Sequence, residues 1–371
     1  MTTTEKVSLR GNEVAVAIPL LTIRKCLYAT HRRFAPRGNA SLSVYDLPHI
    51  KHFLDLNIIY NIIKMMKPLY INLDEKDFKE KIEILFDILN ECSLCPNDCK
   101  VNRNKGEKGR CESDSKIKIS GFHLHFGEEP PISGRNGSGT IFFSGCPSKC
   151  VYCQNYTISQ LCEGYYINVE QLFSIMLKLQ MEGAHNINLV TPTHYVPQIV
   201  NAIFLARNSG LKIPIVYNTF GYEKVETLRI LEGIIDIYMP DMRYSDDKYA
   251  QKYSGVKDYT YYNRIAVKEM HRQVGDLSIE NGIAIKGLLV RLLILPNDVS
   301  GTIDTLNFLY EEVSKDTYIS LLDQYHPVYK AYKFKEINRT IEEDEYMKIY
   351  KVAKKFRGHF QMSRIGKLYD L

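Results

Sequence analysis

Thr140-Ile141-Phe142-Phe143-Ser144, followed without a break by Gly145-Cys146-Pro147-Ser148-Lys149-Cys150-Val151-Tyr152-Cys153-Gln154-Asn155, decides how this chain reads. The first five residues have the apolar, β-rich composition of a buried strand. The cysteines that follow are spaced CxxxCxxC on one short loop. In parallel α/β architectures the loops at the C-terminal strand ends carry the chemistry, and this loop sits at such an end. Three thiolates can hold three irons of a 4Fe–4S cube and leave the fourth without a protein ligand. A structural zinc site closes four ligands, often as two separated pairs. No fourth ligand lies in this loop.

Downstream of Thr140 the chain alternates between apolar strand-like runs and helical stretches. The expected strands are Thr140–Ser144, Asn186–Val190, Ile213–Asn218, Ile234–Met239, Leu288–Leu295 and Tyr318–Leu322. The expected helices are Val169–Glu182, Val196–Asn208, Val225–Glu232, Asp246–Tyr253 and Gly301–Val313, with Glu342–Phe356 closing the structure. Six strands with intervening helices imply parallel pairing through right-handed crossovers. Their near-continuous apolar character suits strands covered on both faces. The expected fold class is therefore α/β: an incomplete parallel (β/α)6 barrel over residues 139–360, preceded by a small Cys-rich metal-binding module. That module, with a helix and a linker, takes residues 67–138. Its helix is read over Leu73–Leu89, with Phe78, Ile82, Leu85, Phe86 and Leu89 at helical spacing and Asp74 as N-cap.

Residues 1–66 differ from the rest. They carry nine Lys and Arg against four Asp and Glu, and account for the whole net charge of +5, leaving thirty-nine of each sign in residues 67–371. A neutral body argues against a nucleic-acid face. The basic stretch reads as an organellar transit peptide, as a disordered arm, or as untranslated, with Met65 or Met66 as the start; the last is favoured. No apolar run approaches the about 20 residues that cross a bilayer, the longest candidate being Ala15 to Ile23. The chain is therefore read as a soluble, cytoplasmic protein, organellar only if residues 1–66 are a transit peptide.

Seven of the nine cysteines fall in two tight groups. In a long chain without a secretory signal this pattern suits metal binding better than disulfides. The second group is Cys92, Cys95, Cys99 and Cys111, with Pro96, Gly106 and Gly109 marking turns between them. Four thiolates suit zinc or an iron–sulfur cluster, and spacing does not choose between them. Cys26 and Cys162 are given no role. Arg291 lies inside the fifth strand among apolar neighbours, where an arginine is costly unless paired. It points either to an anion in the barrel lumen or to a buried salt bridge. His194, His271 and His326 fall near strand ends or in linkers; each reads either as a substrate contact or, the favoured reading, as a hydrogen-bonded loop residue. The Gly-rich run Ser133–Gly139 lacks the Lys-Ser or Lys-Thr ending of a phosphate loop. The whole segment His123–Gly139 reads as a linker over the barrel mouth.

Gly145–Asn155 resembles the signature of the radical S-adenosylmethionine superfamily. The runs Gly127–Gly134, Asn186–Tyr195, Asp236–Asp241, Glu269–Gly275 and Asp323-Gln324-Tyr325 resemble one subgroup, the uncharacterised homologues of pyruvate formate-lyase activating enzyme. The resemblance spans about Glu91 to Phe356. It implies a partial radical-SAM barrel with one 4Fe–4S cluster at Cys146, Cys150 and Cys153. The open iron would chelate S-adenosylmethionine, and Tyr152 would pack beside the adenine. The usual Gly-Gly-Glu turn after the second strand is replaced by Thr191-Pro192-Thr193-His194, so Thr191 and Thr193 are candidates for the amino-group contact. Asp241-Met242-Arg243 resembles the Asp-x-Lys element of activating enzymes, with Arg243 facing the cofactor carboxylate. Asn218-Thr219-Phe220-Gly221 resembles a cofactor-pocket turn.

Three functions follow as expectations. The first is an activase that installs a glycyl radical in a protein partner. The second is a radical enzyme acting on a small molecule or peptide. The third is a non-catalytic iron–sulfur or zinc protein. Ferredoxin or flavodoxin is the expected electron donor; no nucleic-acid or membrane partner is expected.

Overall fold

The computed structural model of the chain describes residues 67–362. The expectations for residues 1–66, and Cys26 with them, lie outside the described residues. The described chain opens with a short helix α1 (Leu69–Asn72) and the amphipathic helix α2 (Glu75–Asp87), continued by a 3-10 turn to Glu91. Asp74 caps α2, accepting from the Lys76 N–H at 2.8 Å. The expected stripe faces inward, with Phe78, Leu85 and Leu89 fully buried, whereas Ile84, off the stripe, stays 44% exposed.

Strand β1 (Ile117–His125) is followed by the short helix α3 (Pro130–Ser133) and by β2 (Ser138–Phe143). After the cysteine loop come α4 (Tyr156–Ser159) and β3 (Tyr165–Ile167). The alternation then runs α5 (Val169–Met181), β4 (Ile187–Val190), α6 (Val196–Asn208), β5 (Ile215–Thr219), α7 (Val225–Ile230) and β6 (Ile237–Pro240). It continues with α8 (Asp247–Ser254), α9 (Tyr259–Val274), β7 (Ser278–Glu280), β8 (Ile283–Leu293) and α10 (Thr302–Phe308), which ends in a π turn over Leu309–Val313. The last elements are β9 (Tyr318–Leu322), α11 (Glu343–Ala353) and β10 (Arg357–Phe360).

The six expected strands are β2, β4, β5, β6, β8 and β9. They are neighbours in that order and all parallel. A seventh parallel strand, β10, adds to β9. On the other side β1 pairs antiparallel with β2, and β3 with β1. The sheet path ends at β10 and β3 without joining them, so the sheet is open, consistent with a partial barrel. Val216, Ile237, Met239 and Leu289 pack on one face with Ile132 of α3. Leu189, Tyr217, Tyr238 and Leu288 point the other way, into the core shared with α5 and α6. Further along the first face, Asn218, Asp241, Arg291 and Ser320 replace the apolar side chains. This polar level, at the C-terminal strand ends, is where the cysteine loop sits.

Two features depart from the sequence reading. The linker expected over the barrel mouth begins as the last part of β1, and His125 pairs with Ser138, the first residue of β2. The loop after β1 therefore leaves from the end of β2 opposite the cysteine loop. Helix α9 was not anticipated. Its buried face, Tyr259, Asn263, Ala266, Val267, Met270 and Val274, has helical spacing but mixes in Asn and Ala, so no apolar stripe marks it.

Candidate functional site

The three-cysteine loop is fixed by backbone contacts on both sides. Gly145 has φ +88, and a Cβ there would lie 2.4 Å from the Cys111 carbonyl oxygen, so only glycine fits. The Lys149 and Val151 N–H groups donate to the carbonyls of Ser254 and Tyr253 at 2.9 and 2.8 Å. The loop is thus zipped to the last turn of α8, which stops at Gly255 in the left-handed region.

Each sulfur has a polar neighbour. Cys146 Sγ accepts from the Ser148 N–H at 3.4 Å, Cys150 Sγ lies 3.0 Å from Ser254 Oγ, and Cys153 Sγ lies 3.1 Å from Ser159 Oγ. Burial raises all three thiols, Cys150 to about 12, and Cys146 and Cys150 are raised further by the sulfurs beside them. That mutual opposition means the three stand close together. A bound cation inverts this logic, because a coordinating thiol gives up its proton. Among the described residues, no three His, Cys, Asp or Glu side chains could hold a single metal ion as placed.

Across from the sulfurs stands Arg243. Its side chain is only 12% exposed, and Nη2 donates to Asp241 Oδ2. Its Nε and Nη1 are buried with no partner. Unsatisfied donors on a buried guanidinium are costly, and an anionic acceptor would satisfy them. Helix α9 builds this corner: Tyr259 Oη accepts from the Arg243 N–H at 2.9 Å, and Asn263 Nδ2 donates to the carbonyls of Gly221 and Asp241, both at 3.0 Å. Three thiols on one loop and a cation with free donors beside them fit a 4Fe–4S cluster carrying an anionic ligand.

Arg291 resolves differently. It forms a bidentate pair with Glu129, Nε and Nη2 donating at 2.7 and 2.6 Å, and Nη2 also meets Glu128. Burial alone would raise Glu128; the Arg291 charge and a hydrogen bond from His125 override it and hold the carboxyl at about 2. Of the two readings of Arg291, the buried salt bridge is the one built, and its guanidinium is not directed at an external anion. Asn218 belongs to the same group, its Oδ1 lying 3.4 Å from Arg291 Nη1.

Thr191 has φ +59, an outlier for a β-branched residue, and its N–H donates to the Asn218 carbonyl at 2.9 Å. The Thr193 hydroxyl does not face open space: it donates to Glu223 Oε1 at 2.6 Å. Glu223 also accepts from Thr219 and from Tyr217, and burial pushes it up to about 7. The Tyr152 ring packs edge-on against Tyr325 and its hydroxyl is paired with that of Tyr244, so it offers the site a wall and no free donor. His194 is buried, its Nε2 2.8 Å from the Ser144 carbonyl oxygen, and burial lowers it to about 3. His271 pairs with Asp276, and His326 lies against Gln324 and Gln154 at the surface. Ser254, Tyr259, Asn263 and Glu223 were not singled out in the sequence. The signal that could have located Ser254 is Gly255 just after it, a glycine that stops α8 in the left-handed region. Cys92, Cys95, Cys99 and Cys111 line one cavity next to the loop.

Residues 140–308 match the family model described as Radical SAM superfamily. An uncharacterized protein of Methanocaldococcus jannaschii, MJ0674, is 28% identical over 312 residues, covering 81% of this chain and 83% of that protein. A second from the same organism, MJ0808, is 22% identical, covering 69% and 75%. Among solved structures, Streptococcus suis SuiB bound to S-adenosylmethionine is similar with TM-score 0.42 and 14% identity, over 61% of this chain and 50% of that one. This chain thus spans about half the length of SuiB. Methylornithine synthase (PylB) gives TM-score 0.41 and 15% identity, over 57% and 60%. The family match runs through β2, the three-cysteine loop and the parallel strands β4, β5, β6 and β8.

Proposed function

We propose that this chain reductively cleaves S-adenosylmethionine and uses the radical to modify a protein partner, in the manner of a glycyl-radical activase. The observation that carries the cofactor half is Arg243, buried beside the three thiols with two unpartnered N–H groups. When bound, a 4Fe–4S cluster with S-adenosylmethionine supplies one-electron cleavage of a carbon–sulfur bond, giving methionine and a 5′-deoxyadenosyl radical. Cys146, Cys150 and Cys153 would hold three irons. Arg243 would bind the carboxylate of the ligand through Nε and Nη1, with Asp241 keeping its guanidinium in plane. The backbone around Thr191 and Asn218 would receive the amino group. The Tyr152–Tyr244–Tyr325 cluster excludes water behind the loop.

Two features support a protein substrate. Leu161, Tyr165 and Tyr166 are large and exposed, just downstream of the cluster loop. Tyr165 and Tyr166 belong to β3, which pairs with β1 on one side and, among the described residues, forms an edge of the sheet, one strand removed from the end of β2. Exposed apolar groups on a free edge suit docking of another chain. The sequence runs shared with activating-enzyme homologues point the same way.

The test is anaerobic reconstitution with iron and sulfide, followed by 5′-deoxyadenosine analysis under dithionite or reduced flavodoxin. Wild type should release 5′-deoxyadenosine, and the variant C146A/C150A/C153A should release none. No release from cluster-loaded wild type would end the reading. Replacement of Arg243 by Gln removes a charged hydrogen-bond partner, so affinity for S-adenosylmethionine in equilibrium dialysis should fall about 10- to 100-fold. For the substrate, a glycyl radical signal on an added partner enzyme is expected by electron paramagnetic resonance. Turnover with small molecules alone would favour the alternative.

A further inference from the structure

A line of hydroxyl groups joins the three-cysteine loop to helix α8 and to the turn before it. Ser254 Oγ lies 3.0 Å from Cys150 Sγ, and Tyr244 Oη lies 2.8 Å from Ser254 Oγ. Tyr152 Oη pairs with Tyr244 Oη. Ser254 is fully buried, and Tyr244 and Tyr152 are 2% and 4% exposed, so bulk water does not reach the line.

The backbone sets the place of Ser254. Its carbonyl accepts from the Lys149 N–H at 2.9 Å, and α8 stops at the next residue, Gly255. A serine in a helix can turn its hydroxyl back to a carbonyl of the preceding turn. Here the partners of the hydroxyl are Tyr244 Oη and Cys150 Sγ instead. Two buried phenols thus lead, through one serine, to one sulfur of the trio.

The chemistry of that sulfur fixes the direction of the line. A cysteine that ligates iron is a thiolate, which accepts hydrogen bonds and donates none. Ser254 must then donate to Cys150. Its oxygen accepts from Tyr244, and Tyr244 accepts from Tyr152. A hydroxyl that accepts one hydrogen bond becomes a better donor of the next, and a low local dielectric strengthens each link. Cys146 and Cys153 have polar neighbours too, the Ser148 N–H at 3.4 Å and Ser159 Oγ at 3.1 Å. Ser159 is backed by the Gln160 amide at 3.1 Å, and neither neighbour is backed by a phenol.

Hydrogen bonds to the sulfurs help to set the potential of an iron–sulfur cluster. They raise it, because they stabilise the extra negative charge of the reduced state. We propose that Ser254, backed by Tyr244 and Tyr152, is a positioning residue that raises the reduction potential of the cluster through Cys150 Sγ. This rests on the reading of Cys146, Cys150 and Cys153 as cluster ligands. A raised potential eases entry of the electron that the proposed cleavage consumes.

The experiment is a redox titration of the anaerobically reconstituted full chain, followed by electron paramagnetic resonance. The signal read is the one absent from C146A/C150A/C153A. Wild type is compared with S254A, Y244F and S254A/Y244F. Loss of the serine hydroxyl should shift the equilibrium toward the oxidised cluster about 10-fold, or about 59 mV for one electron. Y244F removes no group that touches sulfur, yet should shift it the same way by a smaller amount. S254A/Y244F should match S254A, because the phenol acts only through the serine. Equal potentials in wild type and S254A overturn the proposal, and so does a Y244F shift that persists in full without the serine hydroxyl. If S254A takes up no cluster, Y244F decides, and an unmoved potential there overturns it. A wild type that takes up no iron ends both this assignment and the proposed function. Cleavage of S-adenosylmethionine with coincident potentials ends this assignment alone, and shifted potentials without cleavage end the proposed function alone.

Discussion

Glu223 is the residue whose behaviour is least visible from its place in the chain. It follows a turn after β5, yet it is fully buried and accepts hydrogen bonds from Thr193, Thr219 and Tyr217. Burial raises its folded pKa from the ordinary 4.5 to about 7. The sign follows from proton linkage. The folded state binds a proton more tightly than the unfolded state, so the stabilising contribution is complete below about pH 4.5 and is lost as pH rises through about 7. The difference corresponds to on the order of 3 kcal/mol. Replacement of Glu223 by Gln keeps a hydrogen-bonding group and removes the titration. Urea unfolding between pH 5 and 8 should therefore show a shallower loss of stability in E223Q than in wild type. Equal slopes would contradict the assignment. Asp236, also raised to about 7 by burial, leaves a residual dependence of the same sign in both proteins.

At the level of elements, the loop after β2 and the preceding cysteine module share one contact surface. Gly145 carries it, with φ +88 and its missing Cβ directed at the Cys111 carbonyl and the Ser113 hydroxyl. Alanine there meets both a conformational penalty and an overlap, costing about 2–4 kcal/mol in denaturant unfolding. A G145A protein of unchanged stability would mean that the two segments are not packed as described. The same level explains two misreadings. Residues Ile117–His125 alternate polar and apolar and include Gly121, a weak strand pattern until β2 is beside it. Helix α9 hides a buried Asn263 in its inner face, and that asparagine has a use only because two carbonyls from different strand ends converge on it.

For the molecule as a whole, the buried ion group of Arg291 with Glu128 and Glu129 joins the eighth strand to the loop after the first. Their side chains are 17%, 6% and 3% exposed; among the described residues Arg291 is the guanidinium that pairs with both carboxylates, and His125 also meets Glu128. Removing one side of a buried pair leaves uncompensated charge. The change R291M should cost about 3–5 kcal/mol, whereas R291M combined with E128Q and E129Q should cost much less. Denaturant unfolding of the two variants checks this, and equal losses would refute the pairing. No helix among the described residues is long and apolar enough to cross a membrane.

What the amino-acid order determined by itself was local. The CxxxCxxC trio, the six apolar strand runs, the cap at Asp74 and the stripe of α2 are all written within one turn or one strand, where period and spacing are the physics. The side of Arg291 was not written there. Its sequence neighbours left a lumen anion and a salt bridge equally open, and its partners lie 162 and 163 residues away. Tertiary structure alone decided that, as it decided the Glu223 network and the cavity among four cysteines. Buried polar groups must find partners wherever the fold brings them, and those partners are set by packing across the sheet, not by distance along the chain.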